Sequence, residues 1–196
     1  DDGFVRDVHV SKLIIDPNNN NIFYATTQGA TEYTDKVGNG AGVFKSTDRG
    51  NNWTQINNGL GSLETNVLIV DPNDSEILYL GTDDDGVYKS TDAGDSWKKL
   101  NVSSLTKSFG VGDIIVDPQN SNNIYIGTVD YFRLAGSRGI LGDFGVYKSS
   151  DGGTTWEEFN VGLNHLGVFS LELSEENRIL YAGTRAGGVY WIDLNN

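Results

Sequence analysis

One seven-residue segment returns along the chain and constrains the fold more than any other feature. Gly86-Val87-Tyr88-Lys89-Ser90-Thr91-Asp92 recurs as Gly42-Val43-Phe44-Lys45-Ser46-Thr47-Asp48 and as Gly145-Val146-Tyr147-Lys148-Ser149-Ser150-Asp151. A worn fourth copy reads Gly188-Val189-Tyr190-Trp191-Ile192-Asp193. A second signature precedes each copy. Ile69-Val70-Asp71-Pro72 leads to Ile77-Leu78-Tyr79-Leu80-Gly81-Thr82, and its partners start at Ile14, Ile115 and Leu171. The 196 residues hold four copies, about 49 residues each. Self-similarity on that scale belongs to solenoids, propellers or arrays.

Each copy reads as four short strands. Strand A is apolar and β-branched (Val67 to Val70), as for a strand covered on both faces. Asp-Pro-Asn then turns the chain, because Pro fixes φ and Asp and Asn bond nearby backbone. Strand B runs from Ile77 to Leu80 and strand C from Val87 to Ser90, with a Lys whose end is expected in water; strand D follows Trp97. No long segment shows helical spacing with caps. Four antiparallel strands per repeat make a propeller blade.

Ser46-Thr47-Asp48-Arg49-Gly50-Asn51-Asn52-Trp53 reads Ser-x-Asp-x-Gly-x-x-Trp, as do residues 90–97 and 149–156. This resembles the Asp-box (BNR) repeat of sialidases, xyloglucanase-type glycoside hydrolases, sortilin-like receptors and photosystem II assembly-factor propellers. The fold class is therefore all-β, a β-propeller of four-stranded antiparallel Asp-box blades. The box must reverse the chain between strands C and D. Gly supplies positive φ, Ser and Asp bond turn backbone, and Trp covers the hairpin. The resemblance implies the same structural role for Ser46, Asp48, Gly50 and Trp53, for Ser90, Asp92, Gly94 and Trp97, and for Ser149, Asp151, Gly153 and Trp156. Asp16, Asp71 and Asp117 are read as turn residues before ligands.

Composition narrows the function. Twenty-seven acidic against 14 basic residues give a net charge of −13, which opposes nucleic-acid phosphates and anionic membranes. No apolar run reaches the roughly 20 residues of a membrane helix. The absence of Cys removes disulfides, thiolate metal sites and cysteine nucleophiles. His9 and His165 stand apart, so no metal centre is expected, with a loose calcium site left open. No cofactor is expected.

Strand parity divides the connections. A–B turns and C–D boxes share one edge of each blade, and B–C connections lie on the other. The B–C connections alternate in length: Gln28–Ala41 has 14 residues, Asp83–Asp85 three, Val129–Phe144 16 and Arg185–Gly187 three. Loops that long are uncommon without purpose. Tyr33, Tyr131, Phe132, Arg133, Asp143 and Arg185 are the ligand-binding candidates, because aromatic rings cover apolar sugar faces while polar groups take hydroxyls. A polysaccharide or a protein partner is expected, in an extracellular or cell-surface setting.

Catalysis is the alternative. Asp83-Asp84-Asp85-Gly86-Val87-Tyr88 is similar to the Thr-Asp-x-Gly-Gly-Ala-Tyr segment around a catalytic Asp of xyloglucanase-type enzymes, which makes Asp84 and Asp85 the candidate carboxylates. Those enzymes carry acid and base on two seven-bladed propellers, whereas this chain offers four blades. A non-catalytic binding or scaffold module is therefore ranked first, a glycoside hydrolase or part of one second, and an assembly factor third. Sialidase activity is rejected: Arg49 and Arg178 fall on the box edge and no Arg-Ile-Pro motif is present.

The blades are expected near 6–60, 61–104, 105–163 and 164–196 of a single module, with residues 1–5, Phe4 and Val5 among them, closing the last. A closed four-blade disc, half of a dimeric eight-blade ring and an arc of a larger propeller all fit that frame. A homodimer or additional blades would complete the last two.

Overall fold

The computed structural model describes residues 8–29, 40–102, 109–129 and 144–195. Phe4 and Val5 lie outside them. Two units emerge: residues 1–82 with 87–99, and residues 83–86 with 100–196. Each is built from two antiparallel sheets, and no helix occurs among the described residues. The fold is all-β, of propeller-type blades.

In the first unit, β1 (Val8–Asp16), β2 (Asn19–Gly29), β3 (Val43–Ser46) and β4 (Thr54–Gln55) form one sheet in chain order. β5 (Thr65–Asp71), β6 (Asp74–Thr82), β7 (Val87–Ser90) and β8 (Lys98–Lys99) form the next. Side chains alternate between sheet faces, so each strand sorts its residues by parity. On β2, Tyr24 faces one way and Ala25 the other. Tyr24 and Val43 join Leu68, Val70, Leu78, Leu80, Tyr88 and Trp97 of the second sheet in one buried cluster. Ala25, Ala41 and Phe44 cluster with Val8 and Trp53. Burying each large apolar side chain is worth about 1.5–3 kcal/mol.

The second unit repeats the scheme. β9 (Gly110–Val116), β10 (Ile124–Val129), β11 (Val146–Ser149) and β12 (Glu157–Glu158) form one sheet. β13 (Val168–Ser174), β14 (Ile179–Thr184) and β15 (Gly188–Asp193) form a three-stranded one. Tyr125 and Val146 pack with Val168, Leu171, Leu173, Leu180 and Ala182. The same two positions, Tyr on the second strand and Val on the third, thus anchor the following sheet in both units. Strand A carries a bulge in all four copies, between Val10 and Lys12, Thr65 and Val67, Val111 and Asp113, and Val168 and Ser170, which adds local twist.

The Asp of each A–B turn is buried: Asp16 and Asp117 are 0% exposed and Asp71 1%. Each accepts the N–H two residues on, Asn18 to Asp16 at 2.8 Å, Asn73 to Asp71 at 2.9 Å and Gln119 to Asp117 at 3.0 Å. One expectation changes. The strand-C lysines do not reach water freely. Lys45 Nζ donates to the Ala93 carbonyl at 2.8 Å and lies 5.7 Å from the Tyr24 ring centre. Burial pulls the Lys89 ammonium below the usual lysine range, against the pull of Asp71. Lys45 and Lys89 lie over the Tyr24 and Tyr79 rings paired across from them, while Lys148 lies over Phe159.

Candidate functional site

The two edges of each sheet are built differently, and the box edge is closed upon itself. Ser46 Oγ donates to Asp48 Oδ1 at 2.8 Å and accepts the Gly50 N–H at 2.8 Å. Asp48 Oδ1 also takes the Asn52 N–H at 2.8 Å, and Oδ2 takes Asn52 Nδ2 at 2.6 Å. The other boxes repeat this with Ser90, Asp92 and Ser96, and with Ser149, Asp151 and Thr155. Gly50, Gly94 and Gly153 sit at φ 85, 93 and 93°, a region that disfavours a Cβ. The residue before each is also left-handed, Arg49 at 63°, Ala93 at 53° and Gly152 at 71°. That bend aims the N–H of residues 49, 93 and 152 at the carbonyls of Asn21, Glu76 and Asn122, so box and A–B turn share an edge.

Charge on this edge is consumed locally. The Asn52 side chain first, then its N–H and Ser46, hold the Asp48 carboxyl down to about 2. Thr155 does the same to Asp151, also to about 2. Ser96 and Ser90 lower Asp92. Trp53 and Trp156 return their indole N–H to the Gly50 and Gly153 carbonyls at 3.1 Å, while Trp97 reaches the Ile56 carbonyl at 2.8 Å. In the second unit Arg178 donates Nη1 to Asp117 Oδ1 at 2.9 Å and Nη2 to Oδ2. Burial raises the Asp117 pKa, but the bonds from Arg178, Gln119 and Asn123 outweigh it and keep the carboxyl below its ordinary value.

The loop edge uses two side chains per neck. Thr27 lies two residues before the end of β2: its Oγ1 donates to the Gly42 carbonyl and accepts the Ala41 N–H, both at 2.9 Å. Asn57 completes the bracket, accepting the Val43 N–H at 2.8 Å and donating to the Ala41 carbonyl at 2.8 Å. The second unit has the same parts. Thr128 Oγ1 donates to the Gly145 carbonyl at 2.9 Å and accepts the Phe144 N–H at 3.0 Å. Asn160 accepts the Val146 N–H at 2.7 Å and donates to the Phe144 carbonyl at 3.0 Å. Gly145 has φ 89°, and a Cβ there would lie 2.0 Å from Asn160 Oδ1. Thr184 closes the three-residue connection of the last copy in the same way, through the Gly188 carbonyl and Gly187 N–H. Loop length is therefore independent of the latch that shuts the loop.

Glu64 adds a further tie on the first unit. Its Oε2 takes the Gly29 N–H at 2.8 Å and its Oε1 takes the Gly40 N–H at 2.7 Å, gripping both ends of the 28–41 connection at once. Sequence reading missed Glu64, Thr27, Thr128, Asn57 and Asn160. The Thr and Asn carried a signal, since Thr27, Thr82, Thr128 and Thr184 repeat and Asn57 and Asn160 each stand four after a box Trp. Glu64 has no counterpart and left none.

The predicted ligand candidates fall as follows. Tyr33, Tyr131, Phe132, Arg133 and Asp143 lie outside the described residues. Asp84 and Asp85 occupy a bend between β6 and β7 and are half-buried. Arg185 follows β14, half-buried, its N–H donating to the Gly167 carbonyl at 2.8 Å. Arg49 and Arg178 are spent on Asn21 and Asp117. Among the described residues no three His, Asp or Glu gather as a metal site.

Residues 41–188 match the family model described as Sortilin-Vps10, "Sortilin, neurotensin receptor 3". No match was found among curated proteins. An ancestral GH74 enzyme superposes with a TM-score of 0.72 at 25% identity, over 93% of this chain and 22% of that one. The GH74 enzyme of Niastella koreensis gives 0.69 at 27% identity, over 95% and 29%. YCF48 from Cyanidioschyzon merolae gives 0.61 at 11% identity, over 93% and 49%, a likeness of fold. The chain spans about a quarter of the length of these GH74 relatives.

Proposed function

The chain belongs to the Sortilin-Vps10 family, and from that premise we propose that it is a non-catalytic binding module that holds a polysaccharide outside the cell or at its surface. The ligand face is the loop edge. One observation carries this reading: both long connections, 28–41 and 129–144, rise from necks braced by the same Thr–Gly–Asn bracket, one in each unit. A braced neck fixes where a loop leaves the scaffold, and binding residues gather on such loops. Tyr33, Tyr131, Phe132, Arg133 and Asp143 supply rings and polar groups there, with Arg185 beside the last connection. The box edge, by contrast, spends its hydrogen-bonding groups on its own turns.

Calorimetric titration with xyloglucan and β-glucan tests the proposal. Binding by the intact chain, lost when residues 28–41 and 129–144 are each replaced by a three-residue connection with the strand signal unchanged, is the expected result. Binding that survives both replacements sinks the loop-edge reading. Capture of a protein by the same loops, with no glycan binding, would make the ligand a protein instead.

The likeness to two GH74 enzymes at 25 and 27% identity favours one second reading, a glycoside hydrolase or part of one. Reducing-end release that vanishes in Asp84→Asn or Asp85→Asn would establish it and displace the binding-only reading.

A further inference from the structure

Each unit contains one joint between consecutive sheets, and the two joints are equivalent. In the first, the β2–β3 face with Tyr24 and Val43 receives Leu68 and Val70 of β5. In the second, the β10–β11 face with Tyr125 and Val146 receives Val168, Leu171 and Leu173 of β13. Repeat register assigns the corresponding residues elsewhere. Strand β1 carries Val10, Leu13 and Ile15 at the receiving-strand positions of Val168, Leu171 and Leu173. Yet these three are 50, 57 and 50% exposed, while Val168, Leu171 and Leu173 are 0, 4 and 8%. At the other end, Val189 stands where Val43 and Val146 stand. It is 70% exposed against their 0 and 1%, and Trp191 beside it is 65% exposed. One face lacks its seat and the other lacks its insert.

We propose that a second copy of this chain supplies both: the β1 face of one copy seats on the β14–β15 face of another. The equivalent joint already exists twice in the chain, so the two surfaces have a matching template and are not merely apolar. A face of three strands about 5 Å apart and six residues long measures roughly 15 by 20 Å. A ring of two copies has two joints, each hiding two faces, which comes to about 1,200 Å² and meets the lower bound for a stable interface. Such head-to-tail contacts close into rings or run on as filaments. Glu172 is the one dissenting side chain, standing where Ile14 and Ile115 stand on the earlier faces. An acid on this face already serves inside a joint, because Asp113 accepts the Leu171 N–H at 2.9 Å.

Sedimentation equilibrium across a dilution series of the 196-residue chain reads the mass. A species at least double the single-chain 21.3 kDa is expected. Leu13→Glu and Trp191→Glu should each remain single chains, with unchanged circular dichroism because both sites are exposed. Mixed together, they keep only one of the ring's two joints, about 600 Å², so they should associate one to one but far more weakly than the wild type. Glu172→Ile should tighten assembly several-fold. A wild type that stays a single chain at every concentration overturns the proposal, and places the cover either within the chain itself or on a blade of another protein. Assembly as tight as the wild type's in either single variant also overturns it.

Discussion

The box edge and the loop edge end the same strands, yet they solve the open-backbone problem in opposite ways. Within each box the bonds of the Ser and Asp side chains run over four residues or fewer: Ser46 to Asp48 and Gly50, Asp48 to Asn52. At the neck of the 28–41 loop they run over 14 to 35, from Thr27 to Gly42, Asn57 to Val43, and Glu64 to Gly29. Local closure leaves no room for variation, because an inserted residue would break every bond of the turn. Remote closure ignores what lies between the tied residues. A scaffold that repeats one edge and varies the other follows directly.

The comparison can be strained from each side. The largest effect is expected at Arg178, on the turn edge. Arg178→Ala strands the Asp117 carboxylate, 0% exposed, without its cation, and costs about 3 kcal/mol in urea unfolding, as for other broken buried pairs.

The loop edge comes next. Thr27→Val and Thr128→Val keep shape but leave buried neck groups without their hydroxyl, and should each cost about 2 kcal/mol. Hydrogen exchange at Ala41 and Phe144 would rise. If exchange there is unchanged, the latch is not what holds the neck.

A smaller gain is expected at the box. Ala93 holds φ 53° with a Cβ, so Ala93→Gly should stabilise by about 1 kcal/mol, less the entropy Gly adds to the unfolded chain. A lower melting temperature would contradict the strain.

Acid gives the smallest effect, because the box carboxylates are solvent-facing. Asp48 and Asp151 fall from 3.8 to about 2 on folding. A depressed folded pKa means stability present above the unfolded value and lost as pH falls through the folded one. Melting temperature should therefore decline between about pH 4 and pH 2, and Asp48→Asn with Asp151→Asn should flatten that decline.

Much of the scaffold was legible because its determinants are local. The three boxes, the Asp-Pro turns and strand C from Val87 to Ser90 follow from residues within a few positions of one another. Strands A and B were read short, as Val67–Val70 and Ile77–Leu80, where pairing extends them to Thr65–Asp71 and Asp74–Thr82. The extensions are polar at Asp74 and Ser75, and ladder bonds hold them where propensity would not. The lysines of strand C were read as water-facing because their pattern is polar, but Lys45 ends on the Ala93 carbonyl 48 residues away.

By itself, then, the sequence determined the repeat, the all-β class, the turn chemistry and the edge on which variation falls, since each rests on spacing of two to four residues or on strand parity. Tertiary structure alone decided which carboxylate clamps the loop neck, which arginine neutralises a buried turn aspartate, and which apolar strand face stays uncovered. Those depend on surfaces brought together from 24 to 61 residues apart, a separation at which a one-dimensional pattern carries no distance.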